Sequence, residues 1–251
     1  RIIAALIENK DGRSAIKAEF FIDATGDGDL AQYLKLPMYR HTVVQPPTPC
    51  FLMKGTTDGI DVEKLIATHG VEFGIPDDFG WYGPVPGVPD IYLRADFHVL
   101  NVDCASADGL TYVEMEGRRK AYALAALINK YTDRDVSIAA LSSLAGIRES
   151  NHYRTRHQVR GDDLLRGKKY EDAILNGTYR IDMHDLNGAV TFKYLNGYAV
   201  RMEGAQRYSV EWNWREKEGV SGEPAKYYQV PLDTLIQEQY SNFIAAGRMV
   251  N

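Results

Sequence analysis

Only two of the 251 residues are cysteine, Cys50 and Cys104, and neither has a partner at CxxC spacing. That argues against a disulfide-stapled scaffold, a thioredoxin-type redox pair or a cysteine zinc site, and leaves both thiols as small buried hydrophobes. Also missing is any apolar run near the ~20 residues that span a bilayer, and any charged leader followed by an apolar stretch, so no membrane partner is expected. Positive charge is in deficit: 29 Lys and Arg against 34 Asp and Glu give a net charge of −5, which speaks against nucleic acid as a partner. The six histidines form no HxxxH pair, and His152 and His157 do not share a helical face, so no metal is expected. The chain has neither the GxSxG elbow of a serine hydrolase nor a GxGxxG dinucleotide fingerprint.

What is present is 45% apolar and 25% charged side chains, enough for one large domain or two modest ones. Residues 2–8 and 14–19 read as a hairpin around Asp11-Gly12, followed by a strand at 20–24, the turn Thr25-Gly26-Asp27-Gly28-Asp29 and a short helix at 30–34. Residues 37–89 hold eight of the ten prolines, so irregular connections are expected there. One helix sits inside, Val62–His69, capped by Asp61 and stopped by Gly70. Residues 91–102 alternate, with Ile91, Leu93, Ala95, Phe97 and Val99 on one face and Arg94, Asp96 and His98 on the other. The clearest helix spans 114–131, and a shorter one is predicted at 170–175. Further strands are predicted at 136–144, 178–183, 189–192, 198–202, 208–214 and 227–232; the fifth of these would put Trp212 and Trp214 on one packing face.

A strand that runs into glycines and a helix start presents backbone N–H groups. Thr25, Gly26 and Gly28 would let a pyrophosphate or ribose approach the backbone, whereas Asp27 and Asp29 suit hydroxyl or cap contacts. By itself this is equally a capped turn. Four stretches add to it in order: Phe21-Ile22-Asp23-Ala24-Thr25-Gly26-Asp27-Gly28-Asp29-Leu30-Ala31; Leu144-Ala145-Gly146-Ile147-Arg148-Glu149-Ser150; residues 176–185; and residues 228–232 through Asn242-Phe243-Ile244-Ala245-Ala246-Gly247-Arg248. Together they resemble the bacterial FAD-dependent oxidoreductase family of glutathione-reductase-type flavoproteins, over essentially the whole chain.

The resemblance implies an α/β fold, α+β in a fragment. Residues 1–36 and 232–251 would be part of a split FAD/NAD(P)-binding Rossmann-like domain, and 37–231 a mixed sheet-and-helix substrate domain. It implies FAD, bound by Ala24, Thr25, Gly26, Asp27, Gly247 and Arg248, and hydride transfer between flavin and a small-molecule substrate. The family's opening GxGxxG segment and the helix after Ala-Gly-Arg are absent. With apolar runs flush against both ends, this leads to the expectation of a fragment that is inactive alone, retains no FAD and self-associates through unpaired strands. The parent would be a bacterial cytoplasmic protein, or periplasmic if a signal peptide precedes it.

Arg148 and Glu149 fall, by resemblance, where the substrate domain meets the isoalloxazine, and a cation there would stabilise charge developing on reduction. From the residues alone they are equally a surface pair. His184, beside Asp185, is a candidate acid/base or a structural histidine at a strand end. The basic stretch His152, Arg154, Arg156, His157 and Arg160 would grip an anionic substrate or form a solvated face. Two rival readings are a carbohydrate-active enzyme such as a polysaccharide lyase, supplied by 16 tyrosines with Arg and His, and a folded domain without turnover.

Overall fold

A computed structural model describes residues 1–75, 78, 80–204 and 208–250. Strands β1 (Ala4–Asn9) and β2 (Gly12–Lys17) form the opening hairpin, closed by Gly12 at φ +98°. Next come β3 (Phe21–Asp23), the glycine turn and a single helical turn, α1 (Asp29–Tyr33). The proline-rich stretch is more regular than expected. It contains β4 (Met38–Tyr39), β5 (Phe51–Lys54), α2 (Val62–His69) and β6 (Trp81–Pro84). The reason for β5 is alternation: Phe51 and Met53 point into the core, and the strand sits between two partners that satisfy its backbone.

With β7 (Ile91–Ala95), the long α3 (Ala107–Tyr131) and β8 (Ser137–Leu141), these elements make an antiparallel sheet ordered β6-β7-β5-β8, which shares its core with α2 and α3. Helix α2 is capped as predicted, the Asp61 carboxylate accepting from the Lys64 amide at 2.9 Å. Helix α3 starts earlier than 114, because Ser106 Oγ accepts from the Gly109 amide at 3.0 Å and nucleates the first turn there.

The rest of the chain gives β9 (His152–Tyr153), α4 (Gly161–Leu165), β10 (Ala173–Gly177), the antiparallel meander β11 (Ile181–His184), β12 (Val190–Lys193), β13 (Tyr198–Glu203) and β14 (Tyr208–Asn213), then α5 (Trp214–Lys217), β15 (Tyr228–Pro231) and β16 (Phe243–Ala245). Two expectations fail here. Residues 170–175 are not helical: Ala173–Gly177 is a strand, because β15 supplies its antiparallel partner. Trp212 and Trp214 do not share a strand face, since β14 stops at Asn213, whose side chain accepts from the Arg215 and Glu216 amides and starts α5.

The architecture is α+β with small sheets, and among the described residues parallel pairing is confined to β3 with β16, in the register Phe21↔Phe243 to Asp23↔Ala245. Phe21, Ala31, Leu36, Tyr153, Phe243, Ala245 and Met249 form the core around that pair. Asn242 ties the strands in, accepting from the Ile2 amide and donating to the Ile2 and Glu19 carbonyls. Among the described residues no helix is long and apolar enough to cross a membrane.

Candidate functional site

The turn after β3 is organised by one buried carboxylate. Asp23 accepts from the Thr25 amide (3.1 Å), the Thr25 hydroxyl (2.8 Å) and the Ala31 amide (2.9 Å), which fixes the loop against α1. Gly26 and Gly28 lie in the left-handed region, φ +88° and +74°. The Arg248 guanidinium lies over Gly26, where a Cβ would come within 2.2 Å of Nη1, and donates to Asp27 at 2.8 Å. Among the described residues the amides of Gly26, Asp27 and Gly28 meet no protein acceptor, and Arg248 Nε is buried without a partner. Of the six residues expected to hold a cofactor, the structure brings Gly26, Asp27 and Arg248 into one contact. Ala24, Thr25 and Gly247 flank it and are exposed.

Residues 148–152 connect this turn to the interior. Ser150 donates to the Asp27 carboxylate and Asn151 lies 3.5 Å from the Asp27 carbonyl. Glu149 accepts from the Gln45 amide (2.7 Å) and meets His152 Nε2 at 2.8 Å. Burial works against ionisation of Glu149, but the bonds to His152 and Gln45 outweigh it and hold the carboxyl below its ordinary value. Glu149 is therefore not paired with Arg148. Arg148 turns the other way, donating to Asp182 Oδ2 at 2.8 Å and to His184 Nε2 at 2.9 Å.

Arg148, Asp182 and His184 stand on the wall of a cavity of ≈ 520 Å³, shared with Trp81, Arg180, Phe192 and His98. The carboxylate that meets His184 is Asp182, at 3.2 Å, rather than the neighbouring Asp185, which pairs with Arg201. Alternation along β11 is the reason: Asp182 and His184 share one face, while Met183 points to the other and Asp185 lies past the strand end. Desolvation disfavours the Asp182 anion, yet the adjoining His184 ring and the charge of Arg148 lower its carboxyl below the ordinary value.

His98, which the sequence placed on the polar face of a strand, was given no site role there. It follows β7, and its Nδ1 lies 3.2 Å from both carboxylate oxygens of buried Asp78, whose Oδ2 also accepts the His98 amide at 2.6 Å. The rings of His98 and His184 meet edge to face, centroids 4.9 Å apart. The only signal was a histidine on the polar face of a strand that had no solvent to face.

A second grouping also escaped sequence reading: His41, Glu149 and His152 offer ligand atoms within 4.8 Å of one another. The basic stretch that follows is dispersed. Arg156 pairs with Glu238, and the His157 and Tyr170 rings meet edge to face.

Comparison with known families matches residues 1–251 to the FAD dependent oxidoreductase family. The chain belongs to that family. No curated protein and no solved structure gives a match. For an FAD dependent oxidoreductase the glycine turn is informative, because its unpaired amides and the orphaned Arg248 Nε fit an anionic, hydroxyl-bearing group such as a dinucleotide. Oxidoreductase chemistry also suits a cavity lined by Trp81, Val190 and Phe192 together with two arginines and two imidazoles.

Proposed function

We propose that this FAD dependent oxidoreductase exchanges a hydride between FAD and a small organic substrate held in the cavity beside Arg148. The segment 148–152 supports this reading: one run of chain touches the glycine turn with Ser150 and Asn151 and the cavity with Arg148. In this assignment residues 1–36 and 232–251 form the cofactor unit and 37–231 the substrate unit, supported by the β3–β16 pairing. Ala24, Thr25, Gly26, Asp27, Gly247 and Arg248 would hold the dinucleotide.

FAD, when bound, supplies the two-electron acceptor. Arg148, and Arg180 with its Nε buried and unpartnered, bind and orient an anionic or carbonyl oxygen of the substrate. The proton that leaves the substrate passes to His98 Nε2, while Asp78 holds Nδ1 and stabilises the imidazolium. His98 is better placed for this than His184, whose Nε2 is already engaged by Arg148. Buried Val190 and half-buried Phe192 supply an apolar part of the cavity wall beside these groups.

The test is the visible spectrum of the purified protein, as isolated and after adding FAD. Flavin absorbance that stays with the full-length protein through gel filtration supports the reading, whereas a colourless full-length protein that ignores added FAD overturns it. Once a substrate is found, His98→Gln should cut kcat by about 10²–10⁴-fold, with a smaller loss in His184→Gln. The reverse order would move the proton-accepting role to His184.

A further inference from the structure

We propose that His41, Glu149 and His152 form a binding site for a divalent metal ion of the zinc class. Two imidazoles and one carboxylate are a donor set that zinc takes with a fourth position left for water. Their convergence has a structural cause. Strands β4 and β9 pair antiparallel with Tyr39 opposite His152, so His41, two residues past Tyr39, returns to the same face beside the His152 ring. The His41 and His152 rings lie 5.0 Å apart, and Glu149 reaches back across three residues to within 2.8 Å of His152 Nε2.

Two of the ligands are already held. His152 is buried, its ring stacked on Tyr39 with centroids 5.2 Å apart, and its Nδ1 is buried without a partner. Glu149 keeps one oxygen on the Gln45 amide, which fixes the carboxylate and leaves the other oxygen toward His152. A tetrahedral ion with bonds of about 2.0–2.1 Å needs ligand atoms roughly 3.3 Å apart. The span of up to 4.8 Å therefore has to close modestly, and exposed His41 is the residue able to swing in. His41 also lines a cavity of ≈ 270 Å³, which gives the fourth position access to water. Two neighbouring cations are engaged with carboxylates, Arg40 with Asp103 and Arg148 with Asp182, both within 2.9 Å, and Arg154 lies over the Tyr39 ring.

The inference does not rest on the flavin reading, and its test does not use turnover. Purified protein is stripped with a chelator and titrated with zinc chloride by calorimetry, with flavin content recorded separately. One ion per chain is expected, the metal taking the place of the direct His152–Glu149 contact. His41→Ala, at an exposed position, and Glu149→Gln should each weaken binding by more than about tenfold. His69→Ala, whose ring stacks on Tyr131 instead, should leave it unchanged. No stoichiometric uptake by the wild type, undiminished affinity in either site variant, or an equal loss in His69→Ala would overturn the proposal.

Discussion

Among single residues, Arg94 shows most directly what burial demands. It is fully buried, and its guanidinium makes a fork-to-fork pair with Asp96 at 2.6 and 2.8 Å, donates to Thr57 at 3.0 Å and lies 4.0 Å from the centre of the Tyr82 ring. Removing its partner strands a charge in the interior, so Asp96→Ala should cost about 3–5 kcal/mol in urea unfolding. A cost below about 1 kcal/mol would mean that water reaches the site. Gly26 is constrained by conformation and contact together. Gly26→Ala forces an L residue to φ +88° and drives a methyl into the Arg248 guanidinium. The variant should lose any bound flavin and show a lower Tm, and unaltered flavin retention would remove the glycine turn from the cofactor site. Cys104 behaves as the composition suggested: burial pushes its thiol up to about 11. Alkylation at pH 8 should be slow until the protein is denatured.

At the scale of the element, α3 has the most to lose. Its N-terminus depends on the Ser106 hydroxyl, so Ser106→Ala should cost about 1 kcal/mol. Leu124, fully buried between α3 and the sheet, should cost about 2–5 kcal/mol when cut to alanine. Gly117 faces Pro49, where a Cβ would sit 2.7 Å from the ring carbons. Gly117→Ala should therefore destabilise, despite the gain of about 1 kcal/mol in helix propensity. Elements of this kind were legible where one local pattern dominated. The capped α2, the opening hairpin and most of α3 could be read from periodicity and turn residues. Residues 170–175 misled because so short a run acquires its conformation from a distant partner, β15. The same holds at the site. Gly26, Asp27, Arg148, His184 and Arg248 could be picked out from motif-like runs. Asp78 beside His98, and His41 beside His152, could not, since each pair meets only through strand pairing or loop placement. Asp182 was readable in principle, two residues before His184 on one strand.

For the whole molecule, two partly buried carboxylates tie stability to pH. Asp182 and Glu149 have their folded carboxyls held below the ordinary values of 3.8 and 4.5, so the folded protein binds fewer protons than the unfolded chain in that range. Their stabilisation is complete above those values and disappears as the pH falls through the lowered ones. Unfolding free energy should be flat in this respect above about pH 5.5 and drop below about pH 4.5. Asp182→Asn with Glu149→Gln should flatten that acid limb, and an unchanged limb would assign acid sensitivity to other groups.

The closure of β3 on β16 also sets a clock for biosynthesis. Asn242 bonds to a carbonyl 223 residues earlier, and among the described residues the parallel partner of β3 is β16. At about 5–20 residues per second, a ribosome leaves β3 waiting roughly 10–45 s for β16. Throughout this interval Phe21 lacks the Phe243 side of its core, alongside Phe20 and Ile22, which stay exposed even in the finished fold. The nascent chain therefore offers an apolar strand edge to whatever chaperone attends the exit tunnel.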